Sequence, residues 1–301
     1  VSISPYMMQY AVPGDDYEVT SIGSYAFAYC DNLSSITIGE NVTSIGGYAF
    51  TYCTGLAEIN FNATNLTNLD SHGFFFDAGD INVGITVNIG ANVTKIPLAL
   101  FAGDRSNTVP IIAVNFADNS KCIEIGDYAF GYTLLKSIII PSSVISIGTY
   151  AFADCYFLTG IAIPSSMTSI GDYAFSNCTS LASITIPSSV TSIGSYAFSR
   201  CYSLVCVLNK SSVEFDVGDY GTNTNDNPIL EIVSDESQMN LIEINGNLHK
   251  DYNGERYFIK NLDGSSEIEI DSSCTQIYQY AFYDRDDITS VTIPNSVTSI
   301  G

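Results

Sequence analysis

The sequence predicts a mainly-β repeat solenoid, and three observations carry that prediction. Residues 163–175 (IPSSMTSIGDYAF) and 186–198 (IPSSVTSIGSYAF) are near copies, with echoes at 42–50 (VTSIGGYAF) and 270–282 (IDSSCTQIYQYAF). Phe152, Phe175 and Phe198 follow one another at 23 residues, as do Phe27 and Phe50; between them Phe74, Phe101 and Phe130 come at spacings of 24, 27, 29 and 22, as insertions and one deletion produce. Five of the eight cysteines (Cys30, Cys53, Cys155, Cys178, Cys201) fall in one recurring place, which argues for a repeat position rather than a disulfide framework.

The unit at 181–203 shows how a coil closes. Leu181, Ile184 and Ile186 alternate like a half-buried strand. Pro187 has no N–H for a ladder and ends the strand, and Ser188-Ser189 make the corner. Val190 and Ile193 form a second extended side, Gly194 permits a bend, and Tyr196-Ala197-Phe198 to Cys201 reads as a turn or short helix. About eight buried side chains at roughly 1.5–3 kcal/mol each do not offset an ordering cost of about 1.5 kcal/mol per residue over a coil. Coils must therefore stack and share one core. Strands are expected to end at Val12, Ile38, Phe61, Ile89, Phe116, Ile140, Ile163, Ile186, Leu208, Ile270 and Ile293, giving eleven coils over 1–301. In the irregular stretch 209–266, a polar loop (221–228) precedes two hairpin-turn dipeptides, Asn245-Gly246 and Asn253-Gly254. The reading is one solenoid carrying a hairpin, and a fragment of a longer chain.

Ten Lys+Arg against 32 Asp+Glu give a net charge of −22, which repels phosphate backbones and anionic lipid, so nucleic-acid binding is not expected. No apolar run is long enough to span a membrane, and residues 1–10 lack the pattern of a signal peptide.

The strand L-x-x-I-x-I-P followed by SVTSIG-x-x-AF-x-x-C-x-x-L resembles the BspA-like leucine-rich repeat family, also called the Treponema pallidum type. The match is most specific over 138–204 and weakens at 60–122 and 209–266. The resemblance implies a curved right-handed superhelix with short strands on the concave face and turns or short helices on the convex face. It further implies a surface or secreted protein, often linked to adhesion, without a shared active site.

Outward strand positions should line the concave face: Thr37, Asn60, Asn88, Asn115, Ile139, Ala162 and Thr185 as the candidate binding residues, continued by Glu269 and Thr292. The ladder cysteines are expected to be buried free thiols, as are Cys122 and Cys274, with Cys206 alone exposed. Tyr25, Tyr48, Tyr150, Tyr173, Tyr196 and Tyr280 form a second ladder, expected to cover the core or, if exposed, to grip sugars or a partner. Glycosylation sequons occur at Asn32, Asn41, Asn62, Asn65, Asn92, Asn177 and Asn209, with Asn41 and Asn92 at coil corners.

The acidic clusters at 15–16, 235–236 and 284–287 lack calcium-loop spacing, so no metal or cofactor is expected. His72 and His249 read as loop residues outside any catalytic pattern, and Asp216 and Asp219 add little to His249 as an enzyme site. The sequence therefore points away from an enzyme and toward an adhesion or recognition scaffold for a protein or glycan on another cell or matrix. The alternative is a structural subunit that assembles end to end with copies of itself.

Overall fold

The computed structural model describes residues 2–3, 18–66, 68–69, 73–104, 106–213, 231–278, 281–282 and 285–301. They form a mainly-β solenoid of about eleven turns, with two rows of parallel strands. The concave row contains Ser35–Ile38, Glu58–Phe61, Ile85–Ile89 and Ile111–Phe116 in one sheet. Ser137–Ile139 pairs with Gly160–Ala162, and Ser183–Ile186 with Cys206–Asn209 and Glu231–Val233. Glu267–Glu269 and Ser290–Thr292 extend this row near the C-terminus. These ends lie within a residue of the expected ones; Val12 is outside the described residues.

The second row is built from two-residue Ser-Ile or similar strands. Lys95–Ile96, Glu124–Ile125, Ser146–Ile147, Ser169–Ile170 and Ser192–Ile193 pair in sequence order. The adjacent glycine is required by crowding. A Cβ on Gly194 would lie 2.2 Å from the Asp172 nitrogen, and one on Gly171 would lie 2.5 Å from the Gly148 carbonyl carbon. At the corners, the amides of Val144, Met167 and Val190 close tight turns onto the carbonyls of Pro141, Pro164 and Pro187 at 3.0–3.1 Å.

The third side contains turns, not a helix; the one helix among the described residues is the 3-10 turn Glu236–Gln238. Amides alternate between destinations. Those of Tyr150, Phe152 and Asp154 donate to Asp172, Ala174 and Ser176 of the next coil at 2.8–2.9 Å, whereas those of Ala151 and Ala153 turn back within their own coil to Gly148 and Tyr150. This alternation puts Tyr150 and Asp154 in left-handed backbone (φ 55° and 58°), a pattern repeated at Tyr173 and Asn177 and at Tyr196 and Arg200. Left-handed backbone costs an L-residue about 1–2 kcal/mol.

Aromatic stacking compensates inside the core. Phe27, Phe50, Phe75, Phe101, Phe130, Phe152, Phe175 and Phe198 form one column of near-parallel rings 5.0–6.0 Å apart. Phe75, not Phe74, occupies the column in its coil; Phe74 is buried beside it.

The irregular stretch forms an antiparallel meander, Leu241–Ile244, Asn247–Tyr252 and Glu255–Asn261, turning at the two Asn-Gly dipeptides. Its last strand then pairs in parallel with Gln276–Ile277, as a second-row strand does. Phe258, Ile259, Cys274 and Ile277 make a second buried cluster with Val205. The loop expected at 221–228 lies outside the described residues.

Candidate functional site: the concave face and its ladders

The concave strands put Thr37, Asn60, Asn88 and Asn115 in register across four neighbouring strands. Because outward side chains of adjacent rungs stand about 4.8 Å apart, their amides link directly. Asn88 Nδ2 donates to Asn60 Oδ1 at 2.9 Å and to Glu58 Oε1 at 2.9 Å, and Asn115 Nδ2 donates to Asn88 Oδ1 at 3.1 Å. The ladder lines a shallow trough of about 400 Å³ with Thr37 and Gly90. Thr37, Asn115, Ile139 and Ala162 are exposed, Asn60, Asn88 and Thr185 half-buried, and Ile139 reaches 82 % exposure. Glu269 and Thr292 are exposed in register on the separate C-terminal pair. The asparagine spacing was visible in the sequence; the Glu58 bond was not, because Glu58 lies two residues away along its strand.

The tyrosine column consists of stacked rings. Tyr150, Tyr173 and Tyr196 stack at 4.6 and 5.0 Å, Tyr128 joins at 4.8 Å, and Tyr25 pairs with Tyr48 at 5.4 Å. Each interior ring spends both faces on its neighbours and offers only its edge. That geometry opposes a sugar platform, which needs a free face. A parallel pair, Tyr29 and Tyr52, stacks at 4.8 Å, and Phe76 sets its edge against both Tyr48 and Tyr52. Tyr280 lies outside the described residues.

The cysteines are free thiols. Cys53, Cys155, Cys178 and Cys201 are fully buried and donate Sγ–H to the carbonyls of Phe27, Phe130, Phe152 and Phe175 at 3.0–3.2 Å. Burial pushes the thiols of Cys53, Cys122, Cys155 and Cys274 up to about 11 and Cys201 up to about 12, so they are poor nucleophiles. Two expectations fail. Cys30 is exposed, because no earlier coil of described residues covers it in this row. Cys206 is buried although it sits on an outward strand position: its strand lies between two others, and its neighbour Val205 packs under the meander.

His249 also departs from expectation. It lies within the strand Asn247–Tyr252, is fully buried edge-on to Phe258, and pairs its Nδ1 with the Asn247 carbonyl at 3.1 Å. Its Nε2 has no partner, and burial lowers its pKa. His72, Asp216 and Asp219 lie outside the described residues. Among the sequons, Asn32, Asn41, Asn65 and Asn92 are exposed and Asn62 is half-buried. Asn177 and Asn209 are half-buried with Nδ2 engaged by Asp154 (2.6 Å) and the Val213 carbonyl (2.9 Å). No group of three or more metal-ligating side chains meets among the described residues.

The BspA-type leucine-rich repeat profile matches in six copies over residues 16–108, 106–219 and 236–301. The chain belongs to the BspA-type leucine-rich repeat family. Solved structures similar to this BspA-type chain include the pneumococcal vaccine antigen PcpA (19 % identity, TM-score 0.41, covering 89 % of this chain and 56 % of that one). A leucine-rich cell surface protein of Faecalibacterium prausnitzii is 24 % identical over 96 % of this chain and 63 % of its own, with a TM-score of 0.38. The T. pallidum leucine-rich repeat protein is 20 % identical over 62 % of each chain, with a TM-score of 0.28. This chain spans less than two thirds of the length of these three. No curated protein matches it in sequence. BspA-type repeats are typically non-catalytic scaffolds for protein interaction, and no described helix is long and apolar enough to cross a membrane.

Proposed function

We propose that residues 1–301 form one solenoid, the recognition segment of a cell-surface or secreted adhesion protein, and that its concave face binds a host or matrix macromolecule. The observation that carries this reading is the asparagine ladder, Asn60–Asn88–Asn115, which spends amide groups on one another at an open surface. Nothing in the core needs them there, and a file of amides at strand spacing suits the polar groups of an extended protein or glycan. The family's scaffold character and the surface origin of one structural neighbour support the same reading.

The test is binding of the purified chain to cells and extracellular matrix, compared with Asn88→Arg and Ala162→Arg variants that block the trough and the strand beyond it. Binding should fall at least tenfold with the melting temperature unchanged. Binding that survives both variants would remove the concave face from the proposal. Filaments in negative stain would instead support end-to-end assembly.

A further inference from the structure

The C-terminal meander meets the regular coils along one edge of the solenoid, leaving a cleft of about 400 Å³, within the ~300–1,000 Å³ of small-ligand sites. Three of the chain's ten Lys and Arg residues line it: Lys136, Lys260 and Arg285. Three carboxylates, Asp263, Asp286 and Asp287, line it as well, so the lining is charge-balanced in a chain whose net charge is −22.

Lys260 is the unusual one. It is only 8 % exposed, and its ammonium reaches across 80 residues of sequence to the Ser180 carbonyl. No carboxylate of the described residues pairs with it, and the charge nearest it in effect is the like charge of Arg285. A buried cation resting on a neutral carbonyl is electrostatically incomplete. The carboxylates around it are largely committed elsewhere. Arg285 holds Asp287 through two bonds (2.6 and 3.0 Å), Asn261 and the Ser265 amide hold Asp263 (2.8 Å each), and Asp286 is exposed. The lining also includes the exposed Phe157, Ser203, and Thr159, whose hydroxyl donates to the Lys136 carbonyl at 3.2 Å. An apolar face beside hydroxyls and a cation suits a pyranose ring bearing a carboxylate.

We infer that this cleft is a binding site for an acidic sugar residue of the uronic-acid class, its carboxylate completing the charge of Lys260 with help from Lys136. The site is separate from the concave face, so either can fail without the other. Lys260's buried amine, held down to about 8 by desolvation and Arg285, would return toward the ordinary lysine range when a carboxylate arrives.

The experiment is calorimetric titration of the full chain with trigalacturonate, with neutral galactotriose and with a short acetylated peptide ending in a free carboxylate. Trigalacturonate should bind at least tenfold tighter than either, weakening with salt. Lys260→Met should abolish that preference and Lys136→Ala should reduce it severalfold. Should Lys260→Met not fold, Lys136→Ala and a side-chain NMR titration, in which trigalacturonate raises the Lys260 pKa, decide the matter. Absence of trigalacturonate binding, equal binding of the neutral sugar or the peptide, or an unmoved Lys260 pKa would overturn the assignment.

Discussion

The coils at 128–201 and the section at 241–301 solve the same packing problem with opposite chemistry. In the regular coils every 23 residues return Phe on Phe, Tyr on Tyr and thiol on carbonyl, and no charged side chain is buried there among the described residues. The meander buries Asn247, His249, Lys250, Lys260 and Asn261 within two strands. Repetition lets each coil satisfy its neighbour with identical groups. Where it lapses, side-chain polar groups must find individual partners, as Lys250 does on the Met239 carbonyl and Asn247 on that of Glu269. The two regions should therefore fail under different conditions.

The largest expected difference is at alkaline pH. Burial pushes the thiols of Cys53 and Cys155 up to about 11 and Cys201 up to about 12, from an ordinary value of 9.0, and raises Cys178 as well. A raised folded pKa means stability is intact below about pH 9 and lost as pH rises through the folded values. At about 1.4 kcal/mol per unit, each thiol contributes on the order of 3–4 kcal/mol to that loss. The C-terminal section holds one such thiol, Cys274, also raised to about 11, but Lys260 there acts oppositely, since a folded value of about 8 favours the folded state as pH rises from 8 toward 10.5. Hydrogen exchange from pH 8 to 11 should show the regular coils opening before the meander. Cys178→Ala should make the alkaline decline shallower, and an unchanged slope would refute the burial argument.

Next in size is the core column. Phe175→Ala removes a fully buried ring stacked on both sides and should cost about 3–5 kcal/mol. The loss should appear as one cooperative drop in melting temperature across the neighbouring coils. Phe258→Ala should cost a similar amount, but its exchange should quicken around the meander, because Phe258 stacks on Phe282 in the second cluster. If both variants unfold the whole chain together, the two clusters are one cooperative unit.

These contrasts track what the sequence disclosed. The strand ends, the Phe and Cys columns and the concave row were legible because residue spacing alone fixes which side chains stack in a solenoid. The Phe75 substitution for Phe74 was hidden by an irregular spacing, which does not say which of two adjacent phenylalanines faces inward. Cys206 and His249 were misread for a different reason: Cys206 is flanked by the strands Ser183–Ile186 and Glu231–Val233, and His249 packs edge-on to Phe258 of the next strand, and local alternation carries no record of either neighbour. Lys260 was passed over likewise, since its contact with Ser180 joins residues with no pattern in common.

Acid should affect the meander first. His249 is held neutral by burial, so its contribution is present above about pH 6.5 and is lost as pH falls below it. Asp271 favours its charged form and Arg256 opposes it, while the Nδ1 bond to Asn247 remains. Exchange at Asn247–Tyr252 should quicken between pH 6.5 and 5 while residues 128–201 stay protected. His249→Phe should remove that response; a meander equally labile in the variant would place the acid sensitivity elsewhere.

The smallest effect isolates the strain in the turns. Tyr173 stands at φ 54° and stacks on Tyr150 and Tyr196 at 4.6 and 5.0 Å. Its two stacking contacts contribute about 0.5–1.5 kcal/mol each, against a backbone cost of about 1–2 kcal/mol. Tyr173→Ala loses the stacking and keeps the strain, so it should destabilise by about 1–3 kcal/mol. Tyr173→Gly loses the same contacts but relieves the left-handed backbone, so it should melt above the alanine variant despite glycine's larger unfolded-state entropy. Should glycine prove the less stable of the two, the left-handed backbone at this position carries less strain than glycine's added unfolded-state entropy.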